Sequence, residues 1–150
     1  MKLILGVGSP FGQDNIARLI IDAINKRLPG DVRREQEIHV KYSDRPGLAL
    51  IELIKPYDEV LIIDAVVSGS LIGTIHCLVD LRQLSQYSHT TSSHGFGVAE
   101  ALSLAETLGQ LPDKLAIYGI EIDHKASQIS SLLQKRLDVL ASKIVNSSRT

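Results

Sequence analysis

The stretch Glu59-Val60-Leu61-Ile62-Ile63-Asp64-Ala65-Val66-Val67 decides the fold. Its aliphatic residues run together instead of alternating with polar ones. A half-solvated strand alternates, whereas a strand covered by helices on both faces does not. The stretch therefore predicts a strand inside a covered, mostly parallel sheet. It also carries a conflict, because Asp64 stands directly after Leu61-Ile62-Ile63. Aspartate is disfavoured in strand interiors, and an unpartnered buried carboxylate is costly enough to take up a proton instead. Asp64 must meet a cation, a group of donors or solvent. One reading is a strand-end acid capping the turn that follows. The other is a metal-binding or catalytic carboxylate.

Toward the N-terminus, residues 2–8 form another short apolar run closed by glycines, again a buried strand. Residues 15–28 read as a helix: Ile16, Leu19, Ile20, Ala23, Ile24 and Leu28 recur at steps of three and four. Asp14 stands as its N-cap, and Pro29-Gly30 stops it. Residues 37–43 alternate, with Ile38, Val40 and Tyr42 on one face and His39 and Lys41 on the other, as in a half-solvated strand. Residues 48–55 form a short helix before Pro56.

Toward the C-terminus, Ser68-Gly69-Ser70 is a loop and residues 73–79 a strand. No crossover helix fits between this strand and the preceding one, so the two are expected to run antiparallel. Residues 81–87 show no decisive pattern, and residues 88–93 are a polar loop. Helical spacing returns over residues 96–108, a last buried strand covers 114–120, and an amphipathic helix covers 127–145. Its expected inward residues are Ile129, Leu132, Leu133, Leu137, Leu140 and Ile144, and the polar tail 146–150 is expected to fray. The alternation of strands and helices predicts one α/β domain over residues 1–150. It would be a three-layer sandwich with a five-stranded, mostly parallel twisted sheet and about four to five helices on its faces.

The composition agrees. A chain of 150 residues with 44% hydrophobic and 22% charged residues suits a globular domain and excludes disorder or a collagen-like repeat. A net charge of −1 gives no basic field to recruit nucleic acid. One cysteine, Cys77, excludes an internal disulfide and a cysteine-rich zinc site. In an apolar strand it reads as a small buried hydrophobe. No apolar run approaches the roughly 20 residues of a membrane helix, and the first residues lack the pattern of a signal peptide. The expectation is a cytoplasmic protein with no membrane insertion and no nucleic-acid partner.

In open α/β sheets, sites form beyond the carboxyl ends of the parallel strands. The segments to read are therefore residues 8–15, Asp64 with Ser68-Gly69-Ser70, residues 90–95, and Glu121-Ile122-Asp123-His124. His94, between a polar loop and a helix start, could bind a metal or pass a proton, or bond a backbone group at the helix entry. Asp14 and Asn15 offer oxygens at a helix start, as caps or as ligands. His39 and His76 lie in strands and His89 and His124 in loops, and they read as solvent-facing or satisfied polar groups. Gly6-Val7-Gly8 with Gly12 is one residue too long for a dinucleotide fingerprint.

Taken together, these segments resemble the hydrogenase maturation protease family. Leu5-Gly6-Val7-Gly8-Ser9 through Asp14-Asn15 is similar to the family's N-terminal Gly-x-Gly-Asn…Asp-Asp/Glu segment. Leu61-Ile62-Ile63-Asp64-Ala65-Val66 is similar to its central strand with an acidic metal ligand. Ser93-His94-Gly95-Phe96-Gly97-Val98 resembles its Ser/Pro-His-x-Leu-Gly-Leu segment, and Tyr118-Gly119-Ile120-Glu121 its Gly-Ile-Glu-Pro strand end. The beginning of the chain also faintly resembles peptidyl-tRNA hydrolases, but the early histidine of that family has no counterpart between Gly8 and Ile38.

The main resemblance implies a phosphorylase/hydrolase-like sheet with helices on both sides. It implies an endopeptidase that removes a C-terminal extension from the precursor of a nickel–iron hydrogenase large subunit after nickel insertion. It places metal ligands on Asn15, Asp64 and His94, with Asp14 in reserve, and makes Asp64 and His94 the catalytic pair. The metal would be nickel delivered with the substrate, and zinc or cadmium could occupy the same ligands. Carboxylate oxygen with imidazole nitrogen suits such ions. The family's first ligand is Asp or Glu, and Asn15 stands there in this chain. That substitution opens a second reading, a non-catalytic module for hydrogenase assembly that checks for nickel.

Overall fold

The computed structural model describes residues 1–8, 15–84, 97–123, 125–126 and 128–149. In chain order these form β1 (Lys2–Gly8), α1 (Ile16–Arg27), α2 (Gly30–Glu35), β2 (Ile38–Asp44), α3 (Ala49–Ile54), β3 (Glu59–Val66), β4 (Ile75–Leu78), α4 (Leu81–Leu84), α5 (Val98–Thr107), β5 (Lys114–Glu121) and α6 (Ser131–Ser147). One five-stranded sheet has the order β2-β1-β3-β5-β4. The strands β2, β1, β3 and β5 pair in parallel, and β4 pairs antiparallel with β5. The α/β architecture with a mostly parallel sheet is the one expected.

The unbroken apolar run takes the central position. β3 is buried from Val60 to Val66, with β1 and β5 on its two sides. Alternate residues enter different cores. Leu61, Ile63 and Ala65 pack with Ile4 of β1 and with residues of α1 and α6, such as Ile20 and Leu137. Val60 and Ile62 pack with Leu3, Leu5 and Val7, beneath Leu50 of α3 and Leu102 of α5. Two helical layers thus cover the two faces of one sheet.

Gly6 sets how closely α1 approaches the sheet. A Cβ built on Gly6 would lie 2.6 Å from Ile21 Cγ1 and 3.0 Å from the Ala17 carbonyl oxygen. Helix backbone is among the atoms in the way, so a side chain here forces the helix outward. That contact fixes where α1, and the Asn15 that precedes it, sits over the sheet.

Several expectations change. α2 was not expected: Pro29, read as a stop, is also the N-cap of the next helix, and α2 buries no residue. β4 runs antiparallel to β3 as predicted, but it lies beside β5 at the sheet edge. Cys77 is therefore exposed, not buried, because β4 is an edge strand. α6 begins at Ser131, where the Ser130 hydroxyl accepts the Leu133 N–H at 3.1 Å, and it continues through Ser147. The tail expected to fray is helical up to that point, and Ser148 is buried. Leu132, expected inward, is 61% exposed. Residues 85–96, with His94 and the start of the 96–108 helix, lie outside the described residues, as does Asp14.

Gly6→Ala is expected to cost about 1–3 kcal/mol through overpacking, read as a lower urea midpoint at unchanged slope. Gly30→Ala is the control. Its added Cβ would meet only an Arg34 side-chain nitrogen, at 3.4 Å.

Candidate active site

The carboxyl ends of β1, β2, β3 and β5 reach one rim of the sheet. Asp64 is on β3 with two strand residues still to follow, so it lies inside the strand and not at its end. It shares the parity of Val60 and Ile62, which places it on the face covered by α3 and α5. The residue is 2% exposed. Its Oδ1 accepts the N–H of Ala65 at 2.8 Å. Its partner across the sheet is Gly119 of β5.

Asn15 takes the N-cap position of α1, yet its side chain makes no cap hydrogen bond. Asparagine is a favoured cap because its oxygen can accept a first-turn amide. Here Oδ1 is buried and has no hydrogen-bond partner among the described residues. An unsatisfied buried acceptor costs about 1–3 kcal/mol. Capping, the ordinary explanation for this residue, does not account for it.

Tyr42 of β2 lies near the same rim, paired with Gly6. The Arg18 guanidinium stands over its ring, 5.3 Å from the centroid. Its hydroxyl is buried and also lacks a partner among the described residues. Burial, first, and then the negative charge of Asp44 push the phenol above its ordinary pKa, and Asp64 adds to this while Arg18 opposes it.

A second polar cluster stands on the face that holds Asp64, opposite the one Tyr42 packs on. The Glu121 carboxylate, 1% exposed, accepts the Ser68 N–H at 2.7 Å and the Ser68 hydroxyl, and it pairs with His76 Nε2 at 3.1 Å. Ser68 Oγ is also 3.5 Å from His76 Nε2 and 3.3 Å from Ser70 Oγ. His76 is a satisfied polar group, as its strand position suggested. Its partnership with Glu121 was not foreseen. Glu121 stood in a quoted motif and His76 in a strand, but their meeting depends on the β4–β5 pairing, which local spacing does not encode.

Of the expected ligands, Asp64 and Asn15 lie at the carboxyl end of the sheet, while His94 and Asp14 lie outside the described residues. His94 precedes Val98, the first residue of α5, by four positions, and α5 covers the face that holds Asp64. Among the described residues no three His, Cys, Asp or Glu side chains form a group able to hold a metal. A cavity of about 820 Å³ opens elsewhere, near the amino ends of the strands, and is lined by Lys2, Glu59 and Lys114. It touches none of the candidate residues.

The family model for HycI, hydrogenase maturation protease, matches residues 46–147. The hydrogenase 2 maturation protease of Escherichia coli (strain K12) is 29% identical over 122 residues, covering 79% of this chain and 71% of that protein. The hydrogenase maturating endopeptidase HybD from E. coli superposes with a TM-score of 0.79 at 22% identity, over 99% of this chain and 91% of that one. The NiFe hydrogenase maturation protease HycI from Thermococcus kodakarensis KOD1 superposes with a TM-score of 0.71 at 18% identity, over 99% and 92%. The superpositions bear out the fold, a five-stranded α/β sheet with helices on both faces.

Tyr42→Phe removes a buried hydroxyl that has no partner among the described residues. It is expected to leave stability at neutral pH unchanged or to raise it by up to about 1 kcal/mol. The alkaline limb tests the raised phenol. The unfolded chain ionises Tyr42 near the ordinary value of 10.0, while the folded chain holds the proton to higher pH. Between that ordinary value and the higher folded-state one the unfolded state binds fewer protons, so wild-type stability falls as pH rises. Urea titrations from about pH 9 to about pH 11 should show a shallower fall in the Phe variant.

Proposed function

The chain belongs to the hydrogenase maturation protease family, and we propose that it is a metal-dependent endopeptidase of nickel–iron hydrogenase assembly. Its substrate is a large-subunit precursor already loaded with nickel, from which it removes a C-terminal extension. The observation that carries this reading is the buried Asn15 oxygen left without a hydrogen bond at the rim that also bears the buried Asp64 carboxylate. Both are hard oxygen donors at the rim where open α/β sheets form their sites, and capping does not explain Asn15.

In this reading Asn15, Asp64 and His94 hold the ion, with Asp14 in reserve. Oxygen and imidazole donors fit nickel and also zinc or cadmium. A divalent ion so held supplies Lewis acidity at the scissile carbonyl. The chain's own contribution is placement. The Ala65 N–H holds one oxygen of Asp64 and thereby fixes the tilt of the carboxylate. Burial keeps solvent from competing for it. Asn15 brings an oxygen without a charge, so Asp64 is the one anionic ligand of the set.

The test is mass spectrometry of a nickel-loaded large-subunit precursor incubated with the chain, beside a nickel-free control. Loss of a C-terminal peptide is expected with nickel alone. Asp64→Ala and His94→Ala should each abolish the cleavage while the thermal midpoint stays within a few degrees. Normal processing by both variants would remove this mechanism.

The neutral Asn15 also favours the second reading, a nickel-checking module without catalysis. Asn15→Asp restores a charge and should tighten nickel binding in calorimetry. An unchanged affinity would exclude Asn15 as a ligand. Tight capture of loaded precursor by the wild-type chain, with the extension left intact, would favour the module.

A further inference from the structure

The loop between β3 and β4 carries exposed apolar side chains that the core does not use, and we propose that it is the surface on which the folded large-subunit precursor docks. The face it meets is an apolar depression flanked by a carboxylate. The proposal rests on the endopeptidase reading for the identity of that partner.

The loop starts at Val67, three residues after Asp64, and returns as β4. Because β4 lies beyond β5, the loop crosses the carboxyl end of β5. There the Gly73 N–H donates to the Glu121 carbonyl at 2.8 Å, and the Glu121 N–H donates to the Thr74 carbonyl at 2.9 Å. The loop is therefore part of the rim that bears Asp64. Ile75 pairs with Ile120, and Ile120 pairs with Ala65. Ile75 thus stands two strand spacings, roughly 10 Å, from the neighbour of Asp64. A folded protein that brings a peptide bond to this rim lies against the loop.

In a chain that is 22% charged, no Lys, Arg, Asp or Glu stands from Ala65 to Val79. Sheet edges are ordinarily guarded by such charges, and their loss marks the cores of protein interfaces. Leu71 is 86% exposed at the loop tip, and Ile72 and Ile75 are exposed beside it. A Cβ on Gly73 would lie 2.5 Å from Arg136 Cδ, so the tip rests on α6. The exposed Leu132 stands one helical turn before Arg136 and extends the apolar surface. Single exposed leucines are ordinary, whereas a group of them in an uncharged stretch beside a site marks a contact surface.

The tip is ordered without these side chains. At one end Ser68 gives its N–H and its hydroxyl to the Glu121 carboxylate. At the other, the Thr74 N–H and hydroxyl both donate to the Leu71 carbonyl, at 3.0 Å and 2.6 Å. A partner gains the burial of Leu71 and Ile72 without first ordering the loop that presents them. Arg136 is exposed and forms no ion pair among the described residues. A free guanidinium beside an apolar tip selects a surface that sets a carboxylate next to its apolar depression.

The experiment measures kcat, KM and thermal midpoint on the nickel-loaded precursor, and sedimentation velocity of the chain alone. The variants are the double substitution Leu71→Ser with Ile72→Ser, Arg136→Gln, and the control Leu108→Ser. Leu108 is exposed at the end of α5 farthest from the rim. Full burial of one leucine is worth about 10-fold or more in an equilibrium constant. The double variant should therefore raise KM about 10-fold or more, with kcat within about twofold and an unchanged midpoint. Arg136→Gln should flatten the rise of KM with salt, and Leu108→Ser should match wild type. A wild-type KM in the double variant, or wild-type salt dependence in Arg136→Gln, overturns the docking surface while the endopeptidase reading stands. A wild-type dimer that the double variant dissociates gives the patch to a second copy and also overturns it. A wild-type chain that leaves the loaded precursor intact overturns the endopeptidase reading. Interferometry with the same precursor then decides the docking surface: binding weakened about 10-fold in the double variant upholds it, and equal binding, or none by wild type, overturns it too.

Discussion

The Asp64 carboxylate, 2% exposed in the central strand of a sheet covered on both faces, limits where the chemistry of this fold can be. Such a group is tolerated only where something compensates its charge. Two residues earlier on the same face stands Ile62 and four earlier Val60, both within an apolar core. An acid at either position would meet no polar partner. At position 64 the strand is about to leave the core, and the carboxyl ends of the parallel neighbours arrive from the same direction. The charge can be buried and still face a place where other segments bring ligands or donors.

The same geometry explains which parts were legible in sequence. Asp64 was visible as the one break in an apolar run, and the run itself announced a covered strand. α1 was visible from its three-and-four spacing, and Ile16, Ile20 and Ile24 are fully buried. α2 was invisible because a helix that buries no residue leaves no periodic trace, and a proline can begin a helix as well as end one. Strand order was invisible for another reason. Whether β4 joins beside β3 or beyond β5 depends on pairing between residues far apart in sequence, and no local pattern encodes it. The reading of Cys77 failed with it, since an apolar strand is buried on both sides only away from a sheet edge. The Ser68–His76–Glu121 cluster followed β4 into the same blind spot, as its carboxylate and imidazole are 45 positions apart.

Asn15 shows how a local rule and a tertiary outcome diverge. The residue type, the position and the helix all predict a side-chain cap, and the cap bond is not made. Close packing supplies part of the reason. α1 is held against Gly6 with no space for a single added carbon, so the helix start cannot shift to improve its own capping. An amide oxygen is left buried and without a partner among the described residues. A stabilising local contact has been given up at the rim where open α/β sheets form their sites, and such departures from local rules cluster at functional sites.

Charge connects these observations. With an acid at position 15, two carboxylates would balance a divalent ion and hold it tightly. With Asn15, the proposed set offers one formal negative charge and leaves the ion net positive. Such an ion would bind the chain more weakly and would draw electrons from a bound carbonyl more strongly. A weaker hold is no handicap if the ion arrives already attached to the substrate, because the substrate's own ligands then supply part of the affinity. The chain would then need only to complete the coordination. In that reading one buried carboxylate and one neutral oxygen would be enough, and the apolar run around Asp64 can remain a strand.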